Sequence, residues 1–255
     1  MMEITLLGTG TSQGVPVIAC QCEVCLSSDS RDNRLRSSAM IKVNGKTIVI
    51  DAGPDFRQQM LREHVMDIDA ILLTHEHKDH IGGLDDIRPF NFLKDRGIDI
   101  YCEPNVQTTI IKDFAYAFTE HKYPGVPEMK LHSINESVFY IDDIKIEPIR
   151  IMHMNLPILG FKIHDFAYIT DASFISKHEL AKIQGINTLV VNAVRKRKHY
   201  SHFNVQDALE VIEFVQAKQA YLTHISHAIG KYEDMSKELP KNVALGYDGL
   251  KILLD

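Results

Sequence analysis

No stretch of this 255-residue sequence approaches the ~20 consecutive apolar residues needed to span a bilayer. The opening "MMEITLLGTG" lacks the basic segment followed by an apolar one that marks a secretory leader, so the sequence reads as soluble and cytoplasmic. Positive charge is not in excess. The 28 Lys and Arg stand against 34 Asp and Glu, a formal net charge of −6, so neither membrane association nor extended nucleic-acid binding is expected. Linkers and low-complexity tracts are absent, and 45% hydrophobic with 24% charged residues is an ordinary globular composition. A single domain over residues 1–255, long enough to bury a sizeable core, is therefore expected. Cysteine is scarce. Of four, Cys20, Cys22 and Cys25 crowd into "ACQCEVC" and Cys102 lies far downstream, a poor disulfide framework. Metal binding is the first expectation for the triplet and redox chemistry the second. Three thiolates do not complete a four-coordinate zinc site, and the triplet by itself leaves the fourth ligand open.

What is present is an ordered alternation of strand and helix patterns. "EITLLGTG" reads as a strand entering a glycine-rich loop, and "SSAMIKVNGKTIVIDAG" as a hairpin turning at Asn44-Gly45. A helix is expected from Pro54 through "PDFRQQMLREH", then a buried strand in "IDAILLT". Residues 80–93 and 105–118 read as helices around the short strand "IDIYCE", and residues 119–130, with two prolines and a glycine, as a loop. Three β segments follow, "SVFYI", "IKIEPIRIMH" and "LGFKIHDFAYITD", with turns at Asp142-Asp143 and His164-Asp165. The remainder alternates: a helix over 176–184, strand "TLVVNAV", a helix over 205–218, strand "AYLTHI", a short helix, and a last strand "LKILL". Asn204 and Asp207 form a capping-box pattern ahead of an apolar stripe of Val205, Ala208, Leu209, Ile212 and Val215. The order is thus β followed by βα, twice.

The buried strand "IDAILLT" ends in "HEHKDHIGG", with His75, His77, Asp79 and His80 inside six residues. Alternation along an extended chain aims His75 and His77 to one side, while Asp79 and His80 fall in a turn and at a helix start. One ion does not easily use all four, so two neighbouring metal positions can be fed from this one loop.

"THEHKDHIGG" resembles the H-x-H-x-D-H signature of the metallo-β-lactamase-fold hydrolases. The resemblance implies an α/β fold, the metallo-β-lactamase αββα sandwich of two mixed β-sheets flanked by helices. It also implies further ligands in a fixed order, a histidine, an aspartate and a histidine, each after a strand. His153 follows "IEPIRIM", Asp171 follows "FAYIT" and His224 follows "AYLT". By the resemblance, His75, His77 and His153 hold one ion, Asp79, His80 and His224 a second, and Asp171 bridges both. Two ions ~3.5–4 Å apart let a bridging hydroxide attack a phosphoester at neutral pH. The nitrogen and oxygen donors are compatible with Zn²⁺, Mn²⁺ or Fe²⁺.

In "THISH", His227 follows His224 by three residues and has no role in that set. The cysteine triplet and this histidine together resemble the phosphoribosyl cyclic phosphate phosphodiesterase branch, whose members carry a structural zinc beside the catalytic centre. Cys20, Cys22, Cys25 and His227 are then expected to form a closed Cys₃His zinc site. The resemblance extends over "GTGTSQGVP", "RLRSSA", "VIDAGPDFR", "ITDA" and "GYDGL", nearly the whole chain. His202, in "RKRKHYSHFNVQDAL", matches the family position that donates a proton to the leaving oxygen, which makes Asp79 and His202 the expected catalytic pair; His199 is expected at the surface. The run Arg195, Lys196, Arg197 and Lys198 reads as a solvated loop, with attraction of phosphate as the other reading. The expected activity is dinuclear metal-dependent hydrolysis of a small cyclic phosphodiester, either ribose 1,2-cyclic phosphate or a nucleoside 2′,3′-cyclic phosphate; a homodimer is compatible with it. Two alternatives remain: the tRNA 3′-processing endonucleases of the same fold, whose long basic arm is not seen in this sequence, and an iron-dependent oxidoreductase resembling pyrroloquinoline quinone biosynthesis protein B, a family similar in its cysteine cluster but with a less complete metal signature. A glutamate in place of His77 would indicate flavodiiron-type chemistry, and this chain has histidine there.

Overall fold

The computed structural model describes residues 1–121 and 123–254. Lys122, inside the expected loop over 119–130, and Asp255 lie outside the described residues. The chain divides into two compact units, residues 1–7, 38–135 and 251–255 making the first and residues 8–37 with 136–250 the second.

The first unit is built on strands β1 (Met2–Gly8), β2 (Ser38–Val43), β3 (Lys46–Ile50), β4 (Ala70–Leu72), β5 (Ile98–Cys102) and β6 (Met129–Ser133). They follow one another across the sheet from β1 to β6, with the C-terminal strand Lys251–Leu254 antiparallel on the outer side of β1. The β2–β3 hairpin is antiparallel, and β3 through β6 are parallel. Asn44 and Gly45 both take positive φ, 50° and 75°, as the expected two-residue turn requires. Helices α1 (Phe56–Arg62), α2 (Lys78–Ile81), α3 (Arg88–Lys94) and α4 (Pro104–Asp113) supply the crossovers. The expected continuous helix over 80–93 is broken: α2 stops at Gly82-Gly83, a 3₁₀ turn covers Leu84–Ile87, and α3 restarts with Pro89 in its first turn. Leu7, Met40, Phe56, Ile71, Ile87 and Phe90 belong to the core, where the Phe56 and Phe90 rings meet edge-on.

The second unit contains β7 (Phe139–Ile141), β8 (Ile144–His153), β9 (Leu156–Ile163), β10 (Phe166–Ile169), β11 (Thr188–Asn192), β12 (Gln219–Thr223) and β13 (Val243–Leu245), again consecutive across a seven-stranded sheet. Strands β7 to β10 are antiparallel and β10 to β13 parallel. Its helices are α5 (Lys177–Ala181), α6 (Val205–Val215) and α7 (Tyr232–Glu238). The α6 capping box forms as expected: Asp207 N–H donates to Asn204 Oδ1 at 2.8 Å and Asn204 N–H to Asp207 Oδ2 at 3.1 Å, a cap worth about 1 kcal/mol. Ala208, Ile212 and Val215 are buried against the sheet core, with Leu209 partly buried beside them.

Each unit is therefore a mixed sheet that begins antiparallel and ends parallel, with helices between the parallel strands. Both β6 and β13, absent from the sequence reading, are outer parallel strands: the alternation of "MKLHS" rests on only two apolar residues, and "VAL" is too short to show any. The chemistry collects where strands end. Asp51 follows β3, His75 to His80 follow β4, His153 closes β8, Asp171 follows β10, and His224 follows β12.

The second glycine of "HIGG" has a steric reason. A Cβ at Gly83 would fall inside contact distance of the Gly53 carbonyl oxygen and 2.7 Å from Phe56 Cβ. Gly83→Ala should therefore lower the unfolding free energy by ~2 kcal/mol or more, and Gly45→Ala, strained in φ but in open space, by ~1–2 kcal/mol. Urea denaturation of the two variants checks the order; equal midpoints would refute the close-approach account.

Candidate metal centres

In the first unit, β3 and β4 run parallel and put Asp51 beside the chain that leads into the histidines. Asp51 is fully buried. Its carboxylate accepts from the Thr74 backbone N–H at 2.9 Å and from Thr74 Oγ1 at 2.9 and 3.1 Å. His80 Nδ1 lies 2.7 Å from Asp51 Oδ2. Burial pushes the Asp51 pKa above the usual carboxylate value, and the adjacent His80 works against that rise. The carboxylate orients the imidazole: with Nδ1–H donated to Asp51, Nε2 is the nitrogen His80 presents to an ion. His75 Nδ1 is likewise engaged, 2.9 Å from Thr74 Oγ1. The His75 ring centroid is 4.5 Å from that of His77 and 4.2 Å from that of His80, and Asp79 Oδ2 is 3.3 Å from His80 Nε2. All four expected residues of the signature are thus one cluster. Two contacts steady the loop against α4, Asn105 to Glu76 and Lys78 to Asp113.

In the second unit, His153, Asp171, His202 and His224 come together. The His153 Nδ1–H donates to the Ser201 carbonyl oxygen at 2.9 Å; a carbonyl only accepts, so Nε2 carries the lone pair. His224 is set by a longer chain. Ser37 Oγ gives its one proton to the Gly10 carbonyl at 2.9 Å and so must accept from His224 Nδ1, 3.3 Å away, which again puts the lone pair on Nε2. Asp171 Oδ1 is 3.3 Å from His224 Nε2 and 3.1 Å from His202 Nε2, while Thr170 Oγ1 donates to Oδ2 at 2.5 Å. The His202 ring stacks on His224 at 4.9 Å and tilts against His153 at 4.8 Å. His153, Asp171 and His202 stand close enough to share an ion, so His202, expected as a proton donor, is also within ligand reach. His199, expected at the surface, is half-buried instead, its Nδ1 3.1 Å from Ser201 Oγ. Burial and then the neighbouring His202 hold its pKa below the ordinary histidine value.

The cysteine loop closes within the same unit. Cys20, Cys22 and Cys25 Sγ lie 3.2, 3.4 and 3.4 Å from His227 Nδ1. A tetrahedral zinc with Zn–S ~2.3 Å and Zn–N ~2.0–2.1 Å spaces sulfur and nitrogen ~3.5 Å apart, so the donor set fits that ion closely. The Cys25 N–H donates to Cys22 Sγ at 3.5 Å and the Val17 N–H to Cys25 Sγ at 3.4 Å. The Cys25 backbone N–H is the main cause that draws the Cys22 thiol down to about 6, while burial is the main cause that holds Cys25 up to about 11. Cys102 is buried away from this loop as a small apolar residue of β5.

Asp51 has no place in the expected ligand set. Its signal was an aspartate ending an apolar strand, in "VIDAG", but the partner it orients is 29 residues on and only the parallel pairing of β3 with β4 brings them together.

Residues 46–225 match the family model described as the beta-lactamase superfamily domain. An octanoyltransferase of Porphyromonas gingivalis is 41% identical over 257 residues, covering 100% of this chain and 52% of that protein. A coenzyme PQQ synthesis protein B of Methylobacterium radiotolerans is 32% identical over 38% of this chain and 38% of its own length. The chain thus spans about half or less of these curated relatives. A crystal structure of a diphosphatase from the PhnP family superposes with a TM-score of 0.93 at 35% identity, covering 98% of this chain and 96% of that one. The match over most of the chain, on two mixed sheets whose strand ends carry the histidine and aspartate clusters, shows that the chain belongs to the beta-lactamase superfamily and has the metallo-β-lactamase fold.

Proposed function

We propose that the chain is a dinuclear metal-dependent phosphodiesterase that hydrolyses a small cyclic phosphate. One observation carries the reading: in both units the Nδ1 atoms of the expected ligands are bonded to the protein, by Asp51, Ser201 and Ser37, so that His80, His153 and His224 are each held ready to coordinate through Nε2. His75, His77 and His153 would hold one ion, Asp79, His80 and His224 the other, with Asp171 shared. Divalent ions there would polarise the phosphoryl oxygens and supply a water nucleophile at neutral pH. Zn²⁺, Mn²⁺ and Fe²⁺ all suit these donors. The similarity to a PhnP-family diphosphatase supports phosphoester chemistry in particular.

The chain's own contribution beyond the ligands is a proton. His202 Nε2, 3.1 Å from Asp171 Oδ1, would carry that proton, and Ser201 Oγ at 2.8 Å from Nδ1 steadies the ring. A sugar alkoxide leaves poorly, and a histidine holding a proton at this atom serves it as general acid. Cys20, Cys22, Cys25 and His227 would hold a structural zinc that pins the N-terminal loop to the "THISH" segment.

With metal restored, the protein should cleave a cyclic phosphodiester, and His202→Ala should lower kcat ~10²–10⁴-fold with metal content unchanged. Asp79→Ala should lose both activity and bound metal. If a panel of cyclic phosphates, linear phosphodiesters, precursor tRNA and thioesters yields turnover only for tRNA or thioester, the reading is wrong. Separately, Cys22→Ala should remove one zinc equivalent by elemental analysis and lower the melting temperature; unchanged values for both would exclude the structural site.

A further inference from the structure

The second unit contains a cavity of about 740 Å³ that a bare sugar phosphate has no use for. Phe174, Tyr200 and Phe214 line it, with Lys177 and Glu210 as polar partners. The aromatic residues are strongly solvent-exposed, Tyr200 at 79% and Phe174 at 60%. One exposed aromatic side chain is ordinary, but three around one concavity make an apolar surface of the kind that marks ligand sites.

These rings are mounted close to the reacting groups. Phe174 is tied to Met152 by paired backbone hydrogen bonds of 2.9 and 3.2 Å, one residue before His153 and three after Asp171. Tyr200 stacks on His199 at 4.9 Å, and His199 lies 5.1 Å from the His202 ring. The ammonium of Lys177 sits 6.0 Å over the Phe214 ring on α6. His202 itself lines the cavity. It also lines a second, more polar cavity of about 410 Å³ that carries His224, Arg195 and the loop residues Thr11 and Gln13. The proton donor therefore stands at the border between a polar compartment with a metal-ligand histidine and an aromatic one. When water adds to phosphorus, the phosphorus–oxygen bond breaks and the leaving oxygen takes the His202 proton. Whatever that oxygen carries then extends past His202.

We propose that the aromatic cavity is a leaving-group subsite for a nucleobase, in which Phe174 and Tyr200 select nucleoside-bearing phosphodiesters over base-free ones. The position of the phosphate in this proposal rests on the phosphodiesterase reading. Every base offers a π face, so stacking binds bases without reading their edges, and removing one stacking ring typically costs roughly 5- to 150-fold in affinity. Nucleoside 2′,3′-cyclic phosphates become the expected substrates, ahead of ribose 1,2-cyclic phosphate.

The test compares adenosine 2′,3′-cyclic phosphate with methyl riboside 2,3-cyclic phosphate, the same ring without a base. The ratio of their kcat/KM values should favour adenosine and fall roughly 5- to 150-fold in Phe174→Ala and in Tyr200→Ala, with recovery in Phe174→Tyr. Phe92→Ala, an exposed ring in α3, should leave the ratio as it is. Calorimetric titration of adenosine monophosphate into the same variants reads the subsite without turnover, and its affinity should fall by a similar factor. Hydrolysis with a ratio unmoved by either aromatic variant would overturn the subsite and leave the phosphodiesterase reading standing. Phe174-dependent nucleotide binding with no diester cleaved would do the reverse, and neither binding nor cleavage would overturn both.

Discussion

An imidazole coordinates a metal only through a nitrogen that carries no proton, so everything at this site depends on what the other nitrogen is bonded to. The protein answers with three different acceptors. For His80 it is a buried carboxylate, for His153 a backbone carbonyl, and for His224 a serine hydroxyl whose own proton is committed to a carbonyl. Each acceptor sits on a different segment from the histidine it fixes, so the tautomers are a product of the folded units. Loss of such outer partners typically costs 10–100-fold in metal affinity or activity, which would give Asp51, Ser37 and the Ser201 loop a weight close to that of the proposed ligands.

Three of these site positions also carry backbone strain. Asp51, Asp171 and His224 all take positive φ, 63°, 57° and 52°, just beyond the ends of β3, β10 and β12. Non-glycine residues in this region cost of order 1–3 kcal/mol each. Glycine would relieve the strain and remove the side chain the site needs. The neighbouring backbone is bonded on both sides instead: Asp51 N–H to the Leu72 carbonyl, Ala172 N–H and C=O to the Asn192 amide, and Ile225 N–H to the Thr9 carbonyl. A parallel sheet ends abruptly at its C-terminal edge, and these turns aim side chains outward from that edge.

Much of this was legible beforehand because it is local. Alternation and turn chemistry read the β2–β3 hairpin, the α6 cap and the buried strand into "HEHKDH" with nothing from the rest of the chain. The misreadings have physical causes. The helix over 80–93 is interrupted because Gly83 packs against Gly53 and Phe56, a contact made by residues ~30 positions away in sequence. Strands β6 and β13 exist because a parallel neighbour offers them a ladder, and their own pattern is too weak or too short to announce it. His199, read as a surface residue, is half-buried because the loop that carries it folds back on Ser201.

By itself the sequence determined the donor inventory and its grouping: four donors in six residues after one strand, three thiols in six, and a histidine, an aspartate and a histidine each after its own strand. Those follow from residue type and spacing along one segment. Only tertiary structure decided which nitrogen of His80, His153 and His224 is bonded to Asp51, Ser201 and Ser37, that Asp51 stands behind His80, and that an aromatic cavity opens beside His202. Each is a relation between segments far apart in the chain, and strand pairing and loop packing set it, where no local periodicity reaches.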